Sequence, residues 1–173
     1  MSENQNNVRY DVDGHEVVTD ALLELVNQYS ELTGDERIQF STLPDDGGVS
    51  FHPVSGAVIE SERTDITGHT ERTCLYPFTI VYRAANLTAN RKLSVKEWLD
   101  RLGGWLERQT VTIDETEHRL EEYPLLTGNR NFLSIERDTP AFLESVTEDK
   151  TEDWQISISA RYMCEFMRCK TYG

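Results

Sequence analysis

Positive charge is scarce in this chain: 17 lysines and arginines stand against 31 aspartates and glutamates, a formal net charge of -14 at pH 7. Such a chain opposes a phosphate backbone instead of neutralising it, which argues against ordinary DNA or RNA binding. Cysteine is scarce too. Cys74, Cys164 and Cys169 form an odd set without C-x-x-C spacing, and the polar start from Met1 to Asn7 has no secretory leader, a pattern that reads as reduced thiols in a cytosol. No run approaches the roughly 18 apolar residues needed to cross a bilayer, so no membrane span is expected. The glycine-rich patterns that cradle phosphates are missing, and Gly47-Gly48 reads as turn chemistry. The 4 histidines, His15, His52, His69 and His118, lie in separate segments. They lack the short spacing of metal ligands, so neither a metal nor a cofactor is expected.

What remains is a length of 173 residues, suited to one domain, with 38% hydrophobic residues and therefore a modest core. No internal repeat, low-complexity tract or linker divides it on inspection. Leu22, Leu23, Leu25, Val26, Tyr29 and Leu32 recur at helical spacing and predict a helix over 20–32, capped by Thr19 or Asp20 and ended by Gly34. The residues before it, 1–18, read as a polar arm or edge segment. A short strand is expected over 37–42, then a turn through Pro44, Asp45, Asp46, Gly47 and Gly48. Two long strands over 49–62 and 72–84 follow, joined by a charged tip around Asp65, Gly68 and His69. Cys74, Tyr76, Phe78, Ile80, Tyr82 and Ala84 occupy one face of the second, and Trp154, Ile156, Ile158, Ala160, Tyr162, Cys164 and Phe166 one face of a final strand. That last strand should sit centrally or project to a partner.

Ser94 and Glu97 form a capping-box pair ahead of Trp98, and Val95, Trp98, Leu99, Leu102 and Leu106 line one stripe of a second helix. Gly103 and Gly104 inside it either admit a close neighbour or mark a break. The acidic stretch 107–123 reads as a solvated loop holding at most one helical turn. Strands are expected over 131–136 and 141–147, with Gly128-Asn129 as a turn. The fold class is therefore α+β, a mainly antiparallel twisted sheet of about five strands with two helices packed on one face.

For chemistry, Cys74 and Cys164 fall on apolar strand faces, where burial makes a thiol inert, and Cys169 on the opposite face is the exposed thiol if any is. A cysteine nucleophile would need a base such as His69, and nothing in the spacing requires that pairing. Adjacent acids such as Asp45-Asp46, Asp114-Glu115 and Glu121-Glu122 point apart in an extended chain and read as solvated surface. No catalytic residue is assigned, and no enzyme activity is expected.

The element order, with the Pro77–Ala84 strand, the Val95–Leu106 helix and the terminal Ile-Ser-Ile-Ser-Ala-Arg-Tyr strand at 156–162, resembles minor capsid proteins of tailed bacteriophages, siphophages of Gram-positive hosts, of the tail-terminator type. The resemblance spans about residues 20–170. It implies a homo-oligomeric, commonly hexameric, ring that caps the tail tube, meets the head connector and lies in the virion after assembly in the host cytoplasm. DNA would pass through its lumen without being tightly held. Excess negative charge suits such a lumen, although it equally serves solubility. Candidate contacts are Arg63, Asp65, His69 and Arg72 at the hairpin tip, and Asp45 and Asp46 in the 44–48 loop. The rival readings are an acidic DNA mimic that inhibits a DNA-processing enzyme, and a small intracellular enzyme.

Overall fold

A computed structural model describes residues 7–168. Its centre is a pair of 17-residue strands, β4 (His69–Ala85) and β9 (Thr151–Met167), antiparallel and paired over their whole length. At about 3.3 Å per residue they run roughly 50 Å. Strict alternation explains the pairing: Cys74, Tyr76, Phe78 and Ile80 of β4 meet Tyr162, Ala160, Ile158 and Ile156 of β9, and all are buried. Hence β9 is central, one of the two placements expected.

Shorter strands flank the pair. Against β4 lie β2 (Gly47–Pro53) and β3 (Val58–Thr64), and β1 (Gln39–Phe40) adds to β2 in parallel. Against β9 lie β7 (Arg130–Arg137) and β8 (Phe142–Val146). The sheet thus has seven strands, mostly antiparallel, and a separate hairpin joins β5 (Val111–Ile113) to β6 (Thr116–His118). The α+β class stands. The strand count rises above five partly because the expected strand over 49–62 is broken at 54–57. Pro77 shares in that break. Its carbonyl accepts from Val54 N at 3.0 Å, and a strand residue's N–H and C=O point to one side, so its missing donor faces the 54–57 connection and not β9.

Both helices lie on the apolar face, since Thr19 of α1 (Val12–Val26) meets Tyr76 and Gly103 of α2 (Ala89–Leu106) abuts Ile156. Here three expectations are corrected. Helix α1 begins at Val12 inside the supposed polar arm, burying Gly14 and Val18, while Tyr10 bridges Val58 of β3. It ends at Val26, not Leu32, because the Asn27 side chain ties the chain off: Nδ2 donates to the Leu23 and Ile38 carbonyls and Oδ1 accepts from Ile38 N at 2.8 Å. Helix α2 is capped by Thr88, whose Oγ1 accepts from Arg91 N, whereas Ser94 lies inside the helix and donates to the Asn90 carbonyl. The Gly103 question resolves as close approach. A Cβ there would stand 2.4 Å from Arg137 Cδ and 2.8 Å from Ile156 Cδ1.

The 107–123 stretch is not a plain loop, for it holds the β5–β6 hairpin, with Val111 and Ile113 buried. Its turn, Asp114-Glu115, takes positive φ at both residues (47° and 65°), a conformation that usually advertises itself through Asn or Gly.

The structure also contains a repeat. Adding 80 to residues 78–84 of β4, which β2 covers, gives 158–164 of β9, which β7 covers. The same shift carries Cys74, paired with Ile59, onto Trp154, paired with Leu143. The 3.0 Å bond from Val54 N to the Pro77 carbonyl recurs as a 2.8 Å bond from Asp138 N to the Ser157 carbonyl, and α1 and α2 end at Val26 and Leu106, the same shift apart. Each half has a helix, two short strands and one long strand in common, to which the first adds β1 and the second the β5–β6 hairpin. An approximate two-fold axis normal to the sheet passes through the Phe78–Ile158 pair. One trace survives in sequence: Ala57-Val58-Ile59-Glu60-Ser61 matches Ala141-Phe142-Leu143-Glu144-Ser145, with a bulge between its third and fifth residues in each copy. The expectation of no internal repeat is corrected accordingly.

Candidate functional site

The six residues expected to make contacts fall into two groups. Gly47, next to Asp46, pairs with Ala84, while Arg63 pairs with Glu71. Those two β4 positions are roughly 40 Å apart at strand rise. Asp45 and Asp46 therefore occupy one end of the sheet and Arg63, Asp65, His69 and Arg72 the other.

At the tip end, Asp65 organises the β3–β4 turn. Its Oδ1 accepts from Thr67 N (2.8 Å), Thr67 Oγ1 (2.7 Å) and His69 N (3.1 Å), and these bonds, the Thr67 hydroxyl's first, hold its pKa below the usual carboxylate range. Ile66 crowns the turn at 91% exposure. Arg72 is engaged inward: it reaches Glu62 at 2.7 Å and covers the Phe166 ring at 4.8 Å. Glu62 also takes Arg9 (3.2 Å) and Arg168 (2.6 Å). Burial raises its pKa, and the three guanidiniums, led by Arg72, outweigh that and lower it. Arg63 and His69 line a shallow dent with Asp65 and Glu71.

Beside this cluster lies a lock that the sequence did not suggest. Asp11 is 4% exposed; its carboxylate accepts from Tyr162 Oη at 2.7 Å and from Arg130 Nε at 3.2 Å. Burial pushes the Asp11 pKa up, and the bonds from Arg130 and Tyr162 overcome it, leaving the carboxyl below its ordinary value. Gly14 lets the first turn of α1 close over this group, since a Cβ there would stand 2.0 Å from Asp11 Oδ2. Neighbouring Cys74 is buried and its thiol is pushed up to about 11 by desolvation; Cys164 shifts in the same direction. Both read as inert, as expected. Cys169 lies outside the described residues. A hint of the lock was the even position of Tyr162 on the apolar face, because a phenol buried there needs a partner.

At the other end, Pro44, Asp46, Gly47 and Gly48 border a groove of about 580 Å³, which Asp45 does not line. Gly47 and Gly48 enter β2 with φ of 138° and 147°, a region reserved for glycine. The repeat relates this groove to the lock. Tyr82 stands where Tyr162 stands in the other half, Gly47 where Arg130 stands, and Arg91 where Asp11 stands. All three line the groove, along with Arg37, Asp46 and Trp98. The Tyr82 ring meets Trp98 edge-on at 5.4 Å. Burial raises the Tyr82 phenol, Glu36 raises it further and Arg91 pulls it back. Neither Arg37 nor Arg91 has a carboxylate within ion-pair distance among the described residues.

No helix among the described residues is long and apolar enough to cross a membrane, and no group of His, Cys, Asp or Glu among them has metal-site geometry. Searched against models of known protein families and against curated proteins, the chain finds no match.

Proposed function

We propose that this chain is a virion structural protein, a tail terminator or head–tail joining component, whose copies form a ring, hexameric by the resemblance, that caps the tail tube and meets the head connector. On this reading it is not an enzyme, it assembles in the host cytoplasm, and DNA passes its acidic surface without being held. The observation that favours the reading is the unlikeness of the two sheet ends. At the tip end Arg9, Arg72 and Arg168 converge on Glu62 and Arg130 is drawn to Asp11, whereas at the other end Asp35, Glu36 and Asp46 border an open groove together with Arg37 and Arg91. Two unlike surfaces on one subunit suit a head-to-tail contact, the kind that closes into rings.

Sedimentation velocity of the purified protein, alone and with tail tubes, tests this. The expected particle weighs several times the 19.9 kDa of the monomer, in one condition or both. A monomer under both conditions removes the ring, and tight capture of a DNA-processing enzyme by that monomer would favour the acidic mimic.

A further inference from the structure

The repeat makes the groove legible. In one half of the molecule the space against a strand tyrosine is filled by a charge pair, Asp11 with Arg130, both at most 11% exposed along their side chains. In the other half, Arg91 replaces the acid and a glycine replaces the arginine. Among the described residues Arg91 therefore has no carboxylate within ion-pair distance and the Tyr82 hydroxyl no hydrogen-bond partner, and both border an open groove.

We infer that this groove is a binding site for a single carboxylate carried on an extended segment of another protein molecule, seated over Gly47 and Gly48 between Arg91 and Arg37 with Tyr82 Oη donating to it. Three features narrow the ligand. A charge-assisted pair with Arg91 and a phenol bond reproduce what Asp11 receives from Arg130 and Tyr162. The groove, at about 580 Å³, is far larger than one carboxylate, so flanking backbone and side chains have room along the glycine pair and against Trp98. Asp35, Glu36 and Asp46 also border it, and these acids repel a polyanion while tolerating one negative charge. Nucleic acid, polyphosphate and strongly acidic peptides are disfavoured on that ground. The inference does not depend on ring formation, because the segment can come from any protein that presents a carboxylate on extended backbone.

The test uses the full chain labelled with nitrogen-15 and five probes: the peptide acetyl-Ser-Val-Glu-Val-Ser-amide, its Glu→Gln version, sodium acetate, pyrophosphate and a short single-stranded oligonucleotide. Amide shifts of Gly47, Gly48 and Arg91 are followed at low ionic strength, where exposed charges are least screened. The Glu peptide is expected to shift these resonances saturably, with the Gln peptide and acetate each at least about tenfold weaker. Arg91→Gln should abolish the response and Tyr82→Phe weaken it severalfold, while Arg119→Gln, on the exposed end of the β5–β6 segment, leaves it unchanged. Equal binding of the Glu and Gln peptides, no binding of either, a response that survives Arg91→Gln, or acetate matching the peptide would each overturn the inference. So would pyrophosphate or the oligonucleotide binding as well as the peptide. The ring is judged by particle mass and this site by residue-specific shifts, so the failure of one leaves the other standing.

Discussion

The two halves of this protein share a backbone plan and differ in how that plan is fastened. Each lays a helix over a long central strand and flanks the strand with two short ones, and equivalent positions keep their burial: Leu22 and Leu102, Val26 and Leu106, Ala57 and Ala141. The differences sit where the strands leave the sheet. One end is closed by Asp11, Arg130 and Tyr162, whereas its counterpart, with Arg91, Gly47 and Tyr82, stays open. A duplicated hydrophobic frame tolerates such divergence because apolar packing asks only for shape and volume, while a buried charge pair demands specific partners. Function is free to settle on the end that is not locked.

Removing the lock should be the most damaging single change, and it tests whether the halves are unequally fastened. In Asp11→Ala, Arg130 is left with only 11% of its side chain exposed and no counter-charge, which costs about 3–5 kcal/mol. Urea unfolding followed by tryptophan fluorescence measures it. The counterpart change Arg91→Ala touches an exposed cation with no ion-pair partner among the described residues and should stay within about 0.5 kcal/mol. Equal losses would erase the comparison. Acid sharpens it further. The folded-state pKa of Asp11 is depressed, so its stabilisation is complete above the ordinary carboxylate value and is lost as pH falls below that value toward the folded pKa. The wild-type protein should therefore lose stability below about pH 4 more steeply than Asp11→Asn.

How much of this was legible beforehand depended on the range of the interaction. The alternation in 74–84 and 154–166 marked both central strands, because period two is a local property that the sheet merely completes. The Val95, Leu99, Leu102 and Leu106 stripe marked α2 for the same reason. Boundaries were set by partners further off. Asn27 stops α1 by bonding Ile38, and Thr88 caps α2 although Ser94 and Glu97 have the better sequence signature. The lock joins residues 119 and 151 positions apart, and no spacing rule reaches so far. The repeat had faded to Ala57–Ser61 and Ala141–Ser145, since topology constrains which positions are apolar and not which apolar residue fills them. Of the expected contact residues, Asp65 and Arg72 turned out to have partners within their own subunit, and only the fold could tell them from Arg63, Asp45 and Asp46.

The helices offer the next contrast. Gly103 brings α2 close to Ile156 and Arg137, and its counterpart in α1 is Leu23, a larger residue only partly buried. The halves thus seat their helices differently at this point. Gly103→Val would drive two methyl groups toward Ile156 and is expected to cost about 1–3 kcal/mol through overpacking, with part of the strain relieved by movement of the flexible Arg137 stem. Leu23→Val, at the equivalent place in the other half, should cost about 1 kcal/mol or less. Thermal melts of the two variants decide the matter. A harmless Gly103→Val would mean that α2 is not held against the sheet by its glycine.

The smallest contrast is also the cleanest, because it removes one atom from each half. Tyr162→Phe deletes the hydroxyl that donates to Asp11 at 2.7 Å and leaves a buried carboxylate with Arg130 alone. A hydrogen bond to a charged group contributes about 1.5–3 kcal/mol, and the surviving guanidinium holds the loss toward the lower end. Tyr82→Phe deletes a hydroxyl with no hydrogen-bond partner among the described residues, so both ring and edge-on Trp98 contact survive and stability should change by less than about 0.5 kcal/mol. Placing both in the same urea series, and making the double variant, asks whether the two sites act independently: Tyr162 pairs with Cys74, eight residues along β4 from Tyr82, roughly 26 Å at strand rise, so their effects should add within about 0.5 kcal/mol. Adding the Glu peptide turns the same pair into a test of function, because the tyrosine that is dispensable for folding is then the one whose loss weakens binding. A protein in which Tyr162→Phe and Tyr82→Phe cost the same would have two locks or none, and the open end would lose its claim to be the working one.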